Sequence, residues 1–394
     1  MRHKLPDSAR AVVPSEGRVA RKADNSGPIR LKTPLNLWLN SRWYSLCLER
    51  FKSIATTMGY KNLTENAIRP DKLMSRSFEL LEEDTQRLMK DRHQFIQVPC
   101  PACGSVNQVP FCEKRGMEFV ACSECETVFG SPRPDEARLA KYYREATYYE
   151  YWNKFIYPAS EEARREQIVK PRVKRILDIA ERFNLKCGKL IEVGAGTGQF
   201  CEEMVKKKHF QEVVAIEPTP SSAESSRKRG LKVIEKPVEE VPLEDGGADM
   251  IVSFEVLEHL FSPKDYLNSC KRLTKEGGTV IVTCPNVKGF DVNLLREVSD
   301  TITPEHLNLF HPASLKRLFE SVGLEVLQLM TPGRLDAEIV RKKTLAGKFD
   351  LSAKPELKRI LLDDWEQEGQ AFQDSLEKSL QSSHMWIVAR KGAS

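Results

Sequence analysis

The run Leu190-Ile-Glu-Val-Gly-Ala-Gly-Thr-Gly198 narrows the possible folds more than any other part of the 394-residue chain. A β-type run leads into it and a helical pattern follows. Gly194, Gly196 and Gly198 let the backbone turn sharply, with no Cβ where a ligand would approach. The spacing is G-x-G-x-G with an acid, Glu192, two residues before it. The dinucleotide fingerprint instead wants Gly or Ala three residues after its second glycine, and that position is Gln199. A second β-type run ends at Ala215-Ile-Glu217-Pro218. Glu217 lies 23 residues after Gly194, close to the spacing of about 20 at which an acid reaches ribose hydroxyls.

From residue 188 onward, strand and helix patterns alternate, which predicts a parallel sheet with crossover helices. Strands are expected at 190–193, 212–216, 231–234, 250–254 and 279–283, with two more at 325–330 and 385–389. A helix is expected to open at Pro312 and stop near Gly323. Leu357, Leu361, Trp365, Phe372, Leu376 and Leu380 predict one long amphipathic helix. The whole chain divides into a polar basic tail (1–34), a helical segment (35–95) and a cysteine-paired segment (96–134). A helical, aromatic-rich linker or lid (135–187) and the strand–helix domain (188–394) follow. The segment 35–95 carries two helical patterns, one through Leu37, Trp38, Tyr44, Leu48 and Phe51, the other through Phe78, Leu80, Leu81 and Leu88.

Together, Glu192-Val-Gly-Ala-Gly-Thr-Gly198, Glu217-Pro218 and Phe254-Glu-Val-Leu-Glu-His-Leu260 resemble the class I S-adenosylmethionine-dependent methyltransferases. The last run is similar to the small-molecule branch that includes ubiquinone-type O-methyltransferases. The resemblance covers about 188–330 plus a final strand. It implies an α/β, Rossmann-like seven-stranded sheet with an antiparallel strand near one edge. It also implies S-adenosylmethionine as cofactor. Glu192, Gly194, Ala195, Gly196 and Gly198 would then lie under its methionine part. Glu217 would bind the ribose, Pro218 and Val238 would lie beside the adenine, and Phe254 and Glu255 would line the site.

Transfer of a methyl group is an in-line displacement at carbon, so the protein must mainly exclude water and align the acceptor. A hydroxyl or carbon-acid acceptor also needs a base. His306, in Thr303-Pro-Glu-His306, follows the fifth strand, and His259 follows the fourth. Loops at the carboxyl ends of such strands form the ligand crevice, which makes both candidate catalytic bases. His311 and His384 read as structural. The chain is also similar to nucleotide-sugar C-methyltransferases, which carry an N-terminal cysteine-rich zinc domain and a Glu-His pair near this loop. Their usual following tyrosine is absent here. In the lid, Tyr148, Tyr149 and Trp152 either stack on the ligand or dock the helix on the sheet domain.

Cys100-Pro-Ala-Cys103, eighteen residues, then Cys122-Ser-Glu-Cys125 is the spacing of a tetrahedral zinc site. Four thiolates leave no open position, so the Zn2+ would be structural, and the short segment around it has little core of its own. Hence a small N-terminal zinc ribbon is expected. Cys112 has no partner in the spacing.

The charge pattern bears on the methyl acceptor. Residues 1–32 hold eight Lys/Arg against three Asp/Glu, which accounts for the whole net charge of +5. The rest carries 53 of each sign. A protein that wraps nucleic acid would show basic bias in its folded part, so nucleic acid is not expected as partner. No run approaches a membrane span and no signal-peptide core follows the basic start, so a cytoplasmic setting is expected. The leading reading is methyl transfer to an O or C atom of a small molecule: a sugar, nucleotide sugar or lipid-linked intermediate. RNA methylation, with ribbon and tail binding RNA, and an inactive cofactor-binding scaffold are the alternatives. The oligomeric state is left open by the sequence.

Overall fold

The computed structural model describes residues 63–392. The basic tail and the helical pattern expected at 37–51 lie outside them. A seven-stranded sheet forms the centre. Its strands are β4 (Lys189–Val193), β5 (Glu212–Ile216), β6 (Lys232–Ile234), β7 (Ala248–Phe254), β8 (Thr274–Pro285), β10 (Leu324–Met330) and β11 (His384–Lys391). The order across the sheet is β10-β11-β8-β7-β4-β5-β6. β4 to β8 run parallel, and β11 inserts antiparallel between β8 and β10. All seven expected strands are present, each within a few residues of its predicted bounds except β8, which is longer at both ends.

Both faces of this sheet are covered, so its central strands are apolar throughout rather than alternating. Leu190, Met250, Val252, Ile281, Trp386 and Val388 pack on one side against Val173, Ile176, Ile179, Phe200 and Met204. Ile191, Ile251, Val280, Val282, Met385 and Ile387 pack on the other against Leu267, Leu273, Leu315, Leu318 and Phe319. The two-residue period of a strand places neighbours on opposite faces. After β6 the chain returns to the far side of β4 to form β7. The reversal point therefore lies at the carboxyl ends of β4 and β7, the place where ligands bind in sheets of this kind.

The paired-cysteine segment forms β1 (Gln108–Lys114), β2 (Met117–Cys122) and β3 (Val128–Gly130). It does not stand apart with a small core of its own. β3 pairs with β9 (Asn308–Leu309), a strand contributed by the loop after β8. Cys100, Ala102, Val120, Cys122 and Phe129 share a core with the central sheet, while Met117, Phe119 and Val128 pack with Leu307 and Leu309. Arg133, 3% exposed, locks the joint. It donates to Asn308 Oδ1 at 2.9 Å and to the Phe261 carbonyl at 2.5 Å, and lies 5.1 Å over the Phe261 ring.

The expected lid is helical from Thr147 to Arg182, with π-helical turns at Trp152–Ile156 and Arg165–Val169. The single helix expected over 357–380 is instead broken. A π-helical turn, Arg359–Asp363, and a non-helical Asp364 separate Pro355–Lys358 from Trp365–Lys378. Arg359 bridges the break, reaching Asp364 and both carboxylate oxygens of Glu368. Apolar spacing continued across the break because both pieces bury the same stripe, and a polar staple leaves no mark on that pattern.

Arg133→Ala would strand the Asn308 amide oxygen and the Phe261 carbonyl. Lost hydrogen bonds to a buried charge cost on the order of 2–3 kcal/mol, readable as a lower urea midpoint. A loss within the scatter of surface substitutions, about 0.5 kcal/mol, would show that the joint does not depend on this fork.

Candidate functional site

The glycine turn after β4 is built as its spacing requires. Gly194, Gly196 and Gly198 have φ of +77°, +55° and +79°, the left-handed region that favours glycine. A Cβ on Gly194 would stand 2.5 Å from Val256 Cγ2, and one on Gly198 would stand 2.6 Å from both Leu231 Cδ1 and Ser226 Oγ. A Cβ on Gly196 would meet nothing within 4 Å. Gly194 and Gly198 thus serve packing, and Gly196 keeps its outer face clear. Glu217, 6% exposed, closes the turn from β5. Its carboxylate accepts from Gly196 N and Thr219 N, both at 2.8 Å. Burial raises its pKa, and these two amides oppose the rise.

Glu192 lies buried under the turn and accepts from Cys201 Sγ at 3.0 Å. Burial pushes its pKa up to about 8. Phe254 ends β7 with its ring against Phe200 at 4.9 Å and Trp386 at 5.7 Å. The Arg172 guanidinium sits 4.1 Å over that ring. Glu255, at φ +56°, accepts from Thr283 Oγ1 at 2.6 Å and pairs with His384 Nδ1 at 3.3 Å. Ala195 is buried beside Cys201 and Ala215. Val238 is buried in the main core, and Pro218 is exposed.

The two candidate histidines come together. Their ring centroids are 4.8 Å apart. His306 Nδ1 lies 2.7 Å from the Thr301 carbonyl, and His259 Nδ1 lies 3.0 Å from the Glu305 carbonyl. A carbonyl can only accept, so each Nδ1 carries the proton and each neutral ring leaves Nε2 as a lone pair. Burial lowers the pKa of both, and with His306 alongside it brings His259 down to about 3. Tyr143 Oη stands 3.3 Å from His259 Nδ1, and Tyr142 Oη donates to Glu305 Oε1 at 3.2 Å. Burial raises Glu305 to about 7.

The aromatics of this helical segment divide between two contacts. Trp152 donates Nε1 to Ser77 Oγ at 2.9 Å, and Tyr148 N donates to Asp84 Oδ2 at 2.8 Å, docking the lid on the helix Asp71–Met89. Tyr143 and Tyr149, 5.4 Å apart, face the histidine side. Arg229 ties the lid to the turn, donating to the Thr197 carbonyl at 2.7 Å, to Glu202 at 2.9 Å and to Glu161 at 2.8 Å.

Cys100, Cys103, Cys122 and Cys125 bring their four sulfurs within 4.8 Å of one another. Sγ atoms of Cys100 and Cys125, and of Cys103 and Cys122, are 3.5 Å apart. A tetrahedral site with metal–sulfur bonds of about 2.3 Å spaces its sulfurs by about 3.8 Å, so the set fits zinc. Glu124 N donates to Cys122 Sγ at 3.4 Å, the amide-to-sulfur contact expected of such a knuckle. Cys112 is not in this group. His311 donates through Nε2 to the Cys125 carbonyl, 2.9 Å away.

Arg172, Tyr142, Tyr143, Glu258 and Glu305 were not singled out from sequence for this site. Glu305 had a signal, since it precedes His306, whereas Arg172 looked like one more cation on an amphipathic helix. Glu192 supplies a pH test. A carboxyl ordinarily near 4.5 that titrates near 8 when folded keeps a proton the unfolded chain gives up. Its contribution to stability is therefore greatest below about pH 4.5 and falls as the pH rises to 8. Without cofactor, Glu192→Gln should flatten the fall in Tm between pH 5 and 8, and an unchanged slope would refute the buried acid.

Residues 161–329 match the family model described as a methyltransferase domain. A "probable S-adenosylmethionine-dependent methyltransferase" of Mycolicibacterium smegmatis is 34% identical over 88 residues, 22% of this chain and 32% of that protein. The C-methyltransferase NovU of Streptomyces niveus is 29% identical over 167 residues, 40% of this chain and 38% of that protein. The ubiquinone biosynthesis O-methyltransferase of Xanthomonas oryzae pv. oryzae is 28% identical over 115 residues, 27% of this chain and 47% of that protein. The chain thus spans from 32% to 47% of the length of these curated relatives. Sheet order, turn geometry and family match agree: residues 161–329 carry a methyltransferase domain, on the seven-stranded sheet of the class I fold.

Proposed function

We propose that the protein transfers a methyl group from S-adenosylmethionine to an O or C atom of a small molecule, with a sugar, nucleotide sugar or lipid-linked intermediate as the favoured class. The observation that carries this reading is the neutral pair His259 and His306, held with Glu305 at the carboxyl edge that also carries the glycine turn. The cofactor supplies an electrophilic methyl group on a sulfonium.

The residues present fit that cofactor. Gly196 leaves the outer face of the turn clear. Glu217 offers an oriented carboxylate to ribose hydroxyls, and of the two acids Glu192 and Glu255 the ionised Glu255 suits a cationic ligand. Arg172, over Phe254 and within electrostatic reach of both acids, suits a carboxylate. On the acceptor side, His306 Nε2 is the better placed to take the acceptor's proton, because its Nδ1–H is fixed on the Thr301 carbonyl, while His259 is held a weak base beside it. Tyr143 and Tyr149 wall this side and exclude water. The identity with a C-methyltransferase over 167 residues supports a carbon or oxygen acceptor, as does the absence of basic excess in residues 33–394.

The four cysteines would hold a structural Zn2+. The ribbon, through β3 and β9, fixes the loop that carries Glu305 and His306. Zinc in this role supplies folding energy rather than chemistry.

Glu217→Ala should weaken binding of S-adenosylmethionine at least tenfold by titration calorimetry, and equal affinity would refute the cofactor site. Incubation with methyl-labelled cofactor and either nucleotide-sugar pools or total RNA should label the former. Label confined to RNA would overturn the acceptor class, and no label in either would favour the inactive scaffold. Metal analysis should find about one zinc per chain. Cys103→Ser should lower both zinc content and the melting temperature, and well under one equivalent in the wild type would refute the ribbon.

A further inference from the structure

Arg164 carries a charge that no acid answers. Its Nε donates to Ser160 Oγ at 3.0 Å, and its Nη2 donates to the Ile68 carbonyl at 2.8 Å. The guanidinium lies 5.0 Å over the Tyr157 ring and 5.6 Å over the Trp152 ring. Among the described residues it forms no ion pair, and Nη1 makes no hydrogen bond. A half-buried charge held only by neutral groups is costly. Burial, with Arg69 and Arg172 nearby, pulls its pKa down to about 10.

Arg69 approaches the same place from the end of the short helix Glu65–Ile68. Its acid, Glu65, stands 3.4 Å away and is shared with Lys342 at 2.9 Å. Arg69 lies within electrostatic reach of Arg164, Tyr148 and His306. Two guanidiniums from separate helices therefore stand against one shared carboxylate. Arg164 is also eight residues before Arg172, with the π-helical turn Arg165–Val169 between them. One α turn and one π turn together take about eight residues, which returns Arg164 to the helix face that carries Arg172. From Arg164 a run of ring contacts leads to the histidines. Trp152 stands 5.9 Å from Tyr148, Tyr148 5.2 Å from Tyr149, Tyr149 5.4 Å from Tyr143 and Tyr143 6.2 Å from His259, which meets His306. The unanswered charge and the base mark the two ends of this run.

We propose that Arg69 and Arg164 form an anion subsite for the methyl acceptor, and that the group they take is a phosphate ester or diphosphate. A carboxylate fills one guanidinium fork. Two forks from separate helices suit the three or more oxygens of a phosphate. Trp152 and Tyr157 hold Arg164 by its face, and Nη1 is left for the ligand. This deepens the proposed function and rests on it. Of the acceptor classes named there, it selects those that carry phosphate, a nucleotide sugar or a lipid-linked diphosphate, over a neutral sugar. Arg69 lies outside residues 161–329, which match the methyltransferase domain model. The subsite therefore draws on this chain's own N-terminal helices.

The test uses the full-length protein saturated with S-adenosylhomocysteine. Calorimetry follows three probes: inorganic pyrophosphate, uridine diphosphate and geranyl diphosphate. At least one should bind at one per chain, and more weakly as salt rises. Tighter binding of uridine diphosphate than of pyrophosphate supports a nucleotide-linked acceptor, and tighter binding of geranyl diphosphate supports a lipid-linked one. Arg69→Gln and Arg164→Gln should each weaken binding at least tenfold. Arg76→Gln, at an exposed arginine of the helix Asp71–Met89, should leave it unchanged. Retained binding of S-adenosylhomocysteine shows that each variant is folded. The subsite is overturned if no probe binds, if folded Arg69→Gln and Arg164→Gln bind as the wild type does, or if Arg76→Gln weakens binding equally. Methyl label in a phosphate-free sugar would overturn the subsite and leave methyl transfer standing. Failure of the wild type to bind S-adenosylhomocysteine would overturn both.

Discussion

A two-strand pairing, β3 against β9, holds the acceptor side of this molecule in place. The segment between β8 and β9 is long; the helix Phe290–Leu295 holds its first half against the core, and β9 holds its end. Pairing Val128 with Leu309 and Phe129 with Asn308 gives that end a rigid partner. Arg133 and the Gly130 amide, which donates to the Leu307 carbonyl at 2.9 Å, reinforce the same point. Glu305 and His306 sit immediately before that anchor. The cysteine segment therefore braces the site, and its own apolar residues are shared with the sheet rather than gathered into a separate core.

The chemistry of the site follows from desolvation. Burial keeps both histidines neutral and raises Glu192 and Glu305 far above ordinary carboxyls. The two carboxyls in such a state exchange protons near neutral pH, which is useful where a proton must leave an acceptor. The stability cost is modest wherever each polar atom finds a partner, as Glu217 does with two amides. Glu258 Oε2 and Tyr149 Oη find none.

Much of the fold could be read from local pattern. β7 is apolar on both faces, and the glycines of the turn had to adopt positive φ. Glu217 stands where its spacing put it. The cysteine spacing brought four sulfurs together as expected, because a tight knuckle is a local structure. The lid was legible as helix but not as a path with two π-helical turns, since an extra residue in a turn shifts the apolar stripe only slightly. The break at Asp364 was invisible for a similar reason.

Sequence alone determined the sheet, the glycine turn with its acid and the paired cysteines, because each depends on residues near one another in the chain or on strict periodicity. Tertiary structure alone decided that His259 and His306, 47 residues apart, lie ring against ring. It also decided that Arg172 covers Phe254, and that a strand from the loop after β8 completes the ribbon's sheet. Those contacts arise when loops from separate strands converge at the carboxyl edge, and no local propensity or spacing encodes where such loops meet.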